Sequence, residues 1–510
     1  MSNNNDKKRS VAQHVGLISG IVLFVFVLVF VDLQPDKPIV TKMAAVALLM
    51  AVWWFSDAIP LFATSLLPII LFPLLGIMKG AAIAPTYINS TIFLFIGGFM
   101  IALTMEKWNL HKRIALFIIR LIGGGPSRII MGFMLAAAFL SMWISNTATA
   151  IMMLPIAMAI ISKMEEKFDE TECRGFSVGL MLAIAYACSL GGMATLVGTP
   201  PNLAFIRIFE ITFPEAQSIA FGTWLVMGLP LSSLLLVIVW LMITKVMYRI
   251  PQHVTIDKTI VNKEYRQLGK MSFEERTVLL FFTLTAGLWV FRENLNIGVF
   301  IIPGWSNLIP YPDLIDDGTV ALFMATLLFL IPSRSPNKES ATIIGADVVR
   351  KMPWDIVLLF GGGFALASGF QVTGLSALIG EKFGALAGIP VIFIILAVCF
   401  GLTFMTELTS NTATTQMILP IMATIAIDLD LNPLMLMVPA TLSASCAFMM
   451  PVATPPNAIV FGSGKIKISE MVRIGIFINI VGVIIITLYF YYIGTSILSI
   501  DPGSMPNWAK

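Results

Sequence analysis

The triplet Ser145-Asn146-Thr147 recurs as Ser410-Asn411-Thr412, and each copy opens one string, SNTATAIMMLPI at 145–156 and SNTATTQMILPI at 410–421. Hydroxyls and a carboxamide are uncharged: the oxygens suit a small cation, and the N–H and O–H groups suit an anion. Both copies lie at the edge of apolar segments, where an unpaired polar group costs several kcal/mol, so their repetition points to ligand work. A second pair follows, Gly198-Thr199-Pro200-Pro201-Asn202 and Ala453-Thr454-Pro455-Pro456-Asn457. Proline in a helix interior costs roughly 3 kcal/mol and pushes the preceding residue out of the helical region. Each helix is expected to unwind there, freeing carbonyls for a small cation.

These motifs keep a register. Gly97-Gly98-Phe99 matches Gly362-Gly363-Phe364 at an offset of 265 (362 minus 97), the triplets match at 265 (410 minus 145), and so do Pro155 and Pro420. The proline strings are offset by 255 (453 minus 198), so the first half holds ten extra residues (265 minus 255), assigned to a polar loop over Lys163–Arg174. The chain reads as two copies of one unit.

The elements that must position these residues follow from composition. Of 510 residues, 57% are hydrophobic and 12% charged, against about 25% charged in ordinary soluble chains. Val15–Val31, Leu225–Met247 and Ile474–Ile493 are apolar runs of membrane-spanning length. The fold class is an all-α polytopic membrane protein. Residues 1–40 form a tail and a first retained helix, 41–247 a first repeat and 248–276 a cytoplasmic linker. Residues 277–494 form a second repeat and 495–510 an extracellular tail. In the first half, spans near 15–31, 41–56, 59–77 and 90–105 precede a hairpin at about 128–163, and spans near 177–210 and 223–247 follow. The second half reads 277–292, 319–333, 354–370, a hairpin at 389–428, then 432–463 and 472–494. The total is eleven crossings, with five in each repeat, so the repeats are inverted relative to each other.

Segments 128–144 and 149–163 flank the first triplet, and one continuous helix through both would be far too long for a single crossing. A re-entrant hairpin turning at the triplet fits instead. Ser, Asn and Thr favour helix N-caps, so each tip gathers hydroxyls, an amide and a positive helix end suited to an anion.

Loop charges orient the chain. Lys7, Lys8 and Arg9 precede the first span, and Arg249, Lys258, Lys263, Arg266, Lys270 and Arg276 crowd the linker, so both read as cytoplasmic. Arg334, Lys338, Arg350 and Lys351 mark a further cytoplasmic loop, while the stretch 293–318 is acidic without Lys or Arg and reads as outside. Asp57, Glu106 and Lys107 are expected as anchors at span ends. The net charge of +3 gives no reason to expect a nucleic-acid partner, and Cys173, Cys188, Cys399 and Cys446 read as small core residues. No GK[ST] follows the glycine runs 123–125 and 361–363, which argues against ATP coupling. His14, His111 and His253 are too scattered for a metal cluster, and no nucleophile–base set suggests an enzyme.

The doubled triplets with the Gly/Ala-Thr-Pro-Pro-Asn strings resemble the divalent anion/sodium symporter family, and most closely its bacterial sodium-dependent dicarboxylate transporters. WNL at 108–110, ELTSNTAT at 407–414 and FGSGKI at 461–466 extend the resemblance over nearly the whole chain. It implies a plasma-membrane homodimer with a scaffold domain and a transport domain that moves like an elevator, taking up succinate, fumarate or malate with at least two Na⁺. It further implies a first sodium held by Ser141, Ser145, Asn146 and Gly198, and a second by Thr406, Thr409, Asn411 and Ala453. The substrate carboxylates would meet Asn146, Thr147, Asn411 and Thr412, with Thr199, Pro200, Thr454 and Pro455 lining the same cavity.

One observation on the residues agrees with this. No Arg or Lys occurs in 129–162, 177–206 or 389–464, so a dianion bound there needs another source of positive charge, which Na⁺ would supply. Against these readings, Asn146 and Asn411 could be interhelical glue, and the prolines ordinary kinks. Glu407, whose repeat partner is Met142, stays open between tuning a sodium site, carrying a proton and a structural role. A sodium-independent dicarboxylate exchanger and an ion channel are the rival functions.

Overall fold

In the computed structural model, residues 9–122, 124–166, 170–248, 259–296, 300–335, 341–384 and 388–509 are described. The basic residues Lys7, Lys8, Arg249, Lys258 and Lys338, together with His253, lie outside them. The described chain is helical apart from one isolated bridge and a two-stranded antiparallel ribbon, Leu295–Asn296 with Ile301–Ile302. Among the described residues, eight helices are long and apolar enough to cross a membrane, and five more apolar helices run 10–17 residues. The shorter ones include the first arms of both hairpins, Pro126–Ser141 and Val391–Met405. The chain is thus a multi-pass membrane protein.

The first helix, Val11–Phe30, starts with a capping box in which Ser10 Oγ accepts from Gln13 N and Gln13 Oε1 accepts from Ser10 N at 2.9 Å. It packs on Pro38–Ser56 through Gly16 and Gly20, whose missing side chains make room for Ser56 and Trp53. Much of its remaining surface is exposed and apolar, as a helix facing lipid requires.

The repeated Gly-Gly-Phe motifs have a packing reason. Each lies in a long helix, Ser90–Lys107 or Trp354–Thr373, that crosses an element of the other half. A Cβ on Gly97 would stand 2.6 Å from the Ala321 backbone, and one on Gly362 would stand 2.5 Å from Ser65. Both distances are shorter than a real Cβ tolerates, so glycine is what permits these two close crossings between halves.

Hairpins form where they were expected. Pro126–Ser141 turns through 142–145 into Asn146–Glu165, and Val391–Met405 turns through 406–410 into Asn411–Asp428. The broken helices are Glu170–Gly192 with Pro200–Thr212, and Leu434–Ala444 with Pro455–Phe461. The prolines do not interrupt helices from inside. They occupy the first turn of each second segment, where a missing N–H costs nothing, and the unwound backbone lies just upstream, at 193–199 and 445–454.

Three expectations need correction. The polar stretch Lys163–Arg174 is mostly helix, because one helix continues to Glu165 and the next begins at Glu170. Lys107 is no exposed anchor: its ammonium pairs with Asp347 at 3.0 Å and its side chain is 7% exposed, so the pair joins the two halves. The span expected at 59–77 is broken into Leu61–Thr64 and Leu67–Leu75, with Ser65 and Leu66 between them. The linker is tied down at Arg113, whose guanidinium donates to both Glu275 oxygens and to the carbonyls of Leu268 and Gly269.

Candidate functional site

Each hairpin tip is built from the same parts. Ser145 caps Asn146–Glu165 by accepting from Ala148 N at 3.1 Å, and Ser410 caps Asn411–Asp428 by accepting from Ala413 N at 3.5 Å. Behind each cap, a buried hydroxyl from the end of the preceding arm donates to the asparagine. Ser141 Oγ reaches Asn146 Oδ1 at 2.6 Å, and Thr406 Oγ1 reaches Asn411 Oδ1 at 2.6 Å. These pairs fix the carboxamides and leave each with an oxygen cluster beside it.

The breaks are stapled by residues whose role the sequence reading left unassigned, the last asparagines of the proline strings. Asn202 Nδ2 donates to Thr195 O at 2.7 Å and also reaches Gly192 O and Met193 O. Asn457 Nδ2 donates to Met450 O at 3.0 Å and Ala447 O at 3.1 Å. Thr195 and Gly192 correspond to Met450 and Ala447 at the 255-residue offset, so the two staples are equivalent. Both asparagines are fully buried, and their Oδ1 atoms have no partner among the described residues. Repetition of the Asn directly after the second proline was the available signal.

A cavity of about 970 Å³ joins the four pieces. Its wall includes Ser145, Asn146, Thr147, Gly198, Thr199 and Pro200 from the first half. Thr409, Ser410, Asn411, Thr412, Ala453, Thr454 and Pro455 come from the second. All the expected site residues therefore meet on one wall except Ser141 and Thr406, which are fully buried one layer behind, against the asparagines. Thr409 points partly back into its own hairpin, bonding Met405 O at 2.9 Å and Thr414 Oγ1 at 2.7 Å. Apolar residues such as Trp54, Phe95, Phe99 and Leu359 also line it.

Four helix N-termini, beginning at Asn146, Pro200, Asn411 and Pro455, border this space. The helices beginning at Asn146 and Asn411 bring first-turn backbone N–H groups and a partial positive charge to it, whereas the two that begin Pro-Pro lack the first two N–H groups and contribute chiefly the dipole. The arrangement can hold an anion by dipoles and amides, while hydroxyls, carboxamide oxygens and unwound carbonyls beside it offer the hard oxygen ligands that alkali cations take.

Glu407 is placed by its contacts. Its carboxyl oxygens accept from the backbone N–H groups of Phe448, Met449 and Met450 at 2.6, 2.9 and 2.9 Å, and from Asn479 Nδ2 at 2.7 Å. With 3% exposure it clamps the unwound backbone of the second break to its hairpin, a structural role. In the first half that task falls to Thr195, whose hydroxyl donates to Met142 O at 2.5 Å and accepts from Gly198 N at 3.0 Å.

Residues 12–499 match the profile of the family described as sodium:sulfate symporter transmembrane region. The sodium-dependent dicarboxylate transporter SdcS of Staphylococcus saprophyticus is 41% identical over 503 residues, covering 97% of this chain and 94% of that protein. The protein of the same name from Staphylococcus aureus is 42% identical over 502 residues, with the same coverage. Among solved structures, the YdaH transporter of Alcanivorax borkumensis aligns with a TM-score of 0.57 at 13% identity, over 94% of this chain and 98% of that one. MtrF of Neisseria gonorrhoeae aligns at 0.53 and 11% identity, over 81% and 84%. Those two likenesses speak for the fold alone. A match across nearly the full length, with relatives above 40% identity, settles the family: the chain belongs to the sodium:sulfate symporter transmembrane family.

Proposed function

We propose that this protein is a sodium-coupled importer of C4-dicarboxylates such as succinate, fumarate and malate. The observation that carries the reading is the convergence of two equivalent tips and two equivalent breaks on one cavity, from stretches that contain no Arg or Lys. A dianion held there by helix ends and amides finds no neutralising side chain in these stretches. Na⁺ bound at the neighbouring oxygen clusters supplies that charge, so anion affinity depends on sodium. Two Na⁺ with a dianion are electroneutral, and a third would move one net charge inward.

In this reading the first sodium is ligated by Ser141, Ser145, Asn146 and Gly198, and the second by Thr406, Thr409, Asn411 and Ala453. Asn146, Thr147, Asn411 and Thr412 meet the carboxylates, and Thr199, Pro200, Thr454 and Pro455 complete the wall. The names carried by the relatives support the dicarboxylate over other dianions. The protein works in the plasma membrane as a homodimer with a cytoplasmic N-terminus and eleven crossings in two inverted repeats. It alternates by an elevator movement of a transport domain against a scaffold. Uptake of labelled succinate into proteoliposomes, driven by a sodium gradient and competed by dicarboxylates, citrate and sulfate, tests this. Robust uptake into sodium-free, unloaded vesicles would replace symport by sodium-independent transport.

A further inference from the structure

We infer that Arg9, an exposed residue lining the cavity, forms an outer binding station for the dicarboxylate, acting only on the side of the membrane where the N-terminus lies. The proposal rests on the dicarboxylate reading above and adds a second, peripheral site to it. Among the described residues lining the cavity, Arg9 is the sole basic side chain, and it shares that wall with Asn146 and Asn411 although the sequence places it in a tail. Asp57 and Asp355 line the same space.

Arg9 is not there by accident of a loose end. It directly precedes the capping box of Ser10 and Gln13 that opens the first helix. The Gln13 side chain, which accepts from Ser10 N, also hydrogen-bonds Asp57. One turn on, Gly16 lets the helix press against Ser56. The cap, the amide bridge and the close approach hold the turn that carries Arg9 beside the residue that ends the second helix. Asp57 itself sits at φ 48°, a left-handed position that asparagine also adopts readily.

The three charges act with opposite signs on a dianion. Arg9 attracts it, whereas Asp57 and Asp355 repel it, and charges in a cavity flanked by low-dielectric walls set local ligand concentration. Such an effect is confined to the side on which the cavity opens. It is also screened by salt, since the Debye length shrinks from about 30 Å at 0.01 M to about 3 Å at 1 M. The tips, less exposed than Arg9, serve both sides in this reading.

The test is a sided measurement of succinate KM with the full-length protein, in right-side-out and inverted vesicles at low ionic strength. Arg9→Gln is expected to raise KM about threefold on the N-terminal side and leave the opposite side unchanged, with the difference fading near molar salt. Arg9→Lys should behave as the wild type. Asp57→Asn and Asp355→Asn should lower KM on that same side. Unchanged KM in Arg9→Gln at low salt, or an equal rise on both sides, would overturn the station while leaving dicarboxylate transport standing. Absence of saturable dicarboxylate flux in the wild type would overturn the transport reading and this one with it.

Discussion

The two halves of the site carry the same motif but hold it differently. In the first, backbones touch: a Cβ on Gly198 would stand 2.5 Å from Gly192 O and 3.0 Å from Ser141 O, so the break is pressed onto its hairpin. In the second, the corresponding positions are Ala447 and Ala453, and Glu407 ties the break to its hairpin by gathering three backbone N–H groups. The first break is closed by contact and one neutral hydroxyl, the second by a buried carboxyl. Equivalent tips thus do not require equivalent support, because an unwound backbone needs only that its polar groups be satisfied.

If the tips are functionally equivalent, Asn146→Ala and Asn411→Ala should each lower sodium-driven succinate uptake at least tenfold, as loss of a hydrogen bond to a charged group costs about 1.5–3 kcal/mol. Uptake surviving in one variant would break the symmetry of the site. For the supports, Glu407→Ala strands three backbone donors and the Asn479 amide and should destabilise the protein by about 3 kcal/mol, against about 1–2 kcal/mol for Thr195→Val. Thermal unfolding in detergent reads both, and equal losses would deny the contrast.

Gly198→Ala should cost about 1–3 kcal/mol by overpacking, while Ala453→Gly costs under about 1 kcal/mol and keeps sodium-dependent uptake. Ligand-induced thermal shifts with added Na⁺ would detect each. The smallest effect belongs to the bond between halves, Lys465 with Glu165 at 2.7 Å, whose side chains are 27% and 31% exposed. Lys465→Gln should shift unfolding by no more than about 1 kcal/mol, in line with other partly exposed pairs.

Much of the site was legible because its parts are local. Ser145 and Ser410 cap the helices they begin, and the prolines mark where a second segment starts, so short strings were enough to find hairpins, breaks and ligand candidates. Reading Pro200 and Pro455 as interior breakers misplaced the unwound carbonyls by a few residues, since first-turn and interior proline share one local signature. Lys107 looked like an anchor only because its partner, Asp347, lies 240 residues away.

By itself the sequence determined a multi-pass membrane chain, a doubled motif in register and the chemistry of the tips. These depend on composition, periodicity and capping, which act over a few residues. The tertiary structure placed the four pieces on the shared cavity that the sequence led one to expect, and it alone decided that Gly97 and Gly362 seat crossings between halves. It also resolved Glu407 into a clamp for residues 448–450 and brought Arg9 to the cavity lining. Those outcomes depend on contacts between residues tens to hundreds of positions apart, fixed by packing that no local pattern encodes.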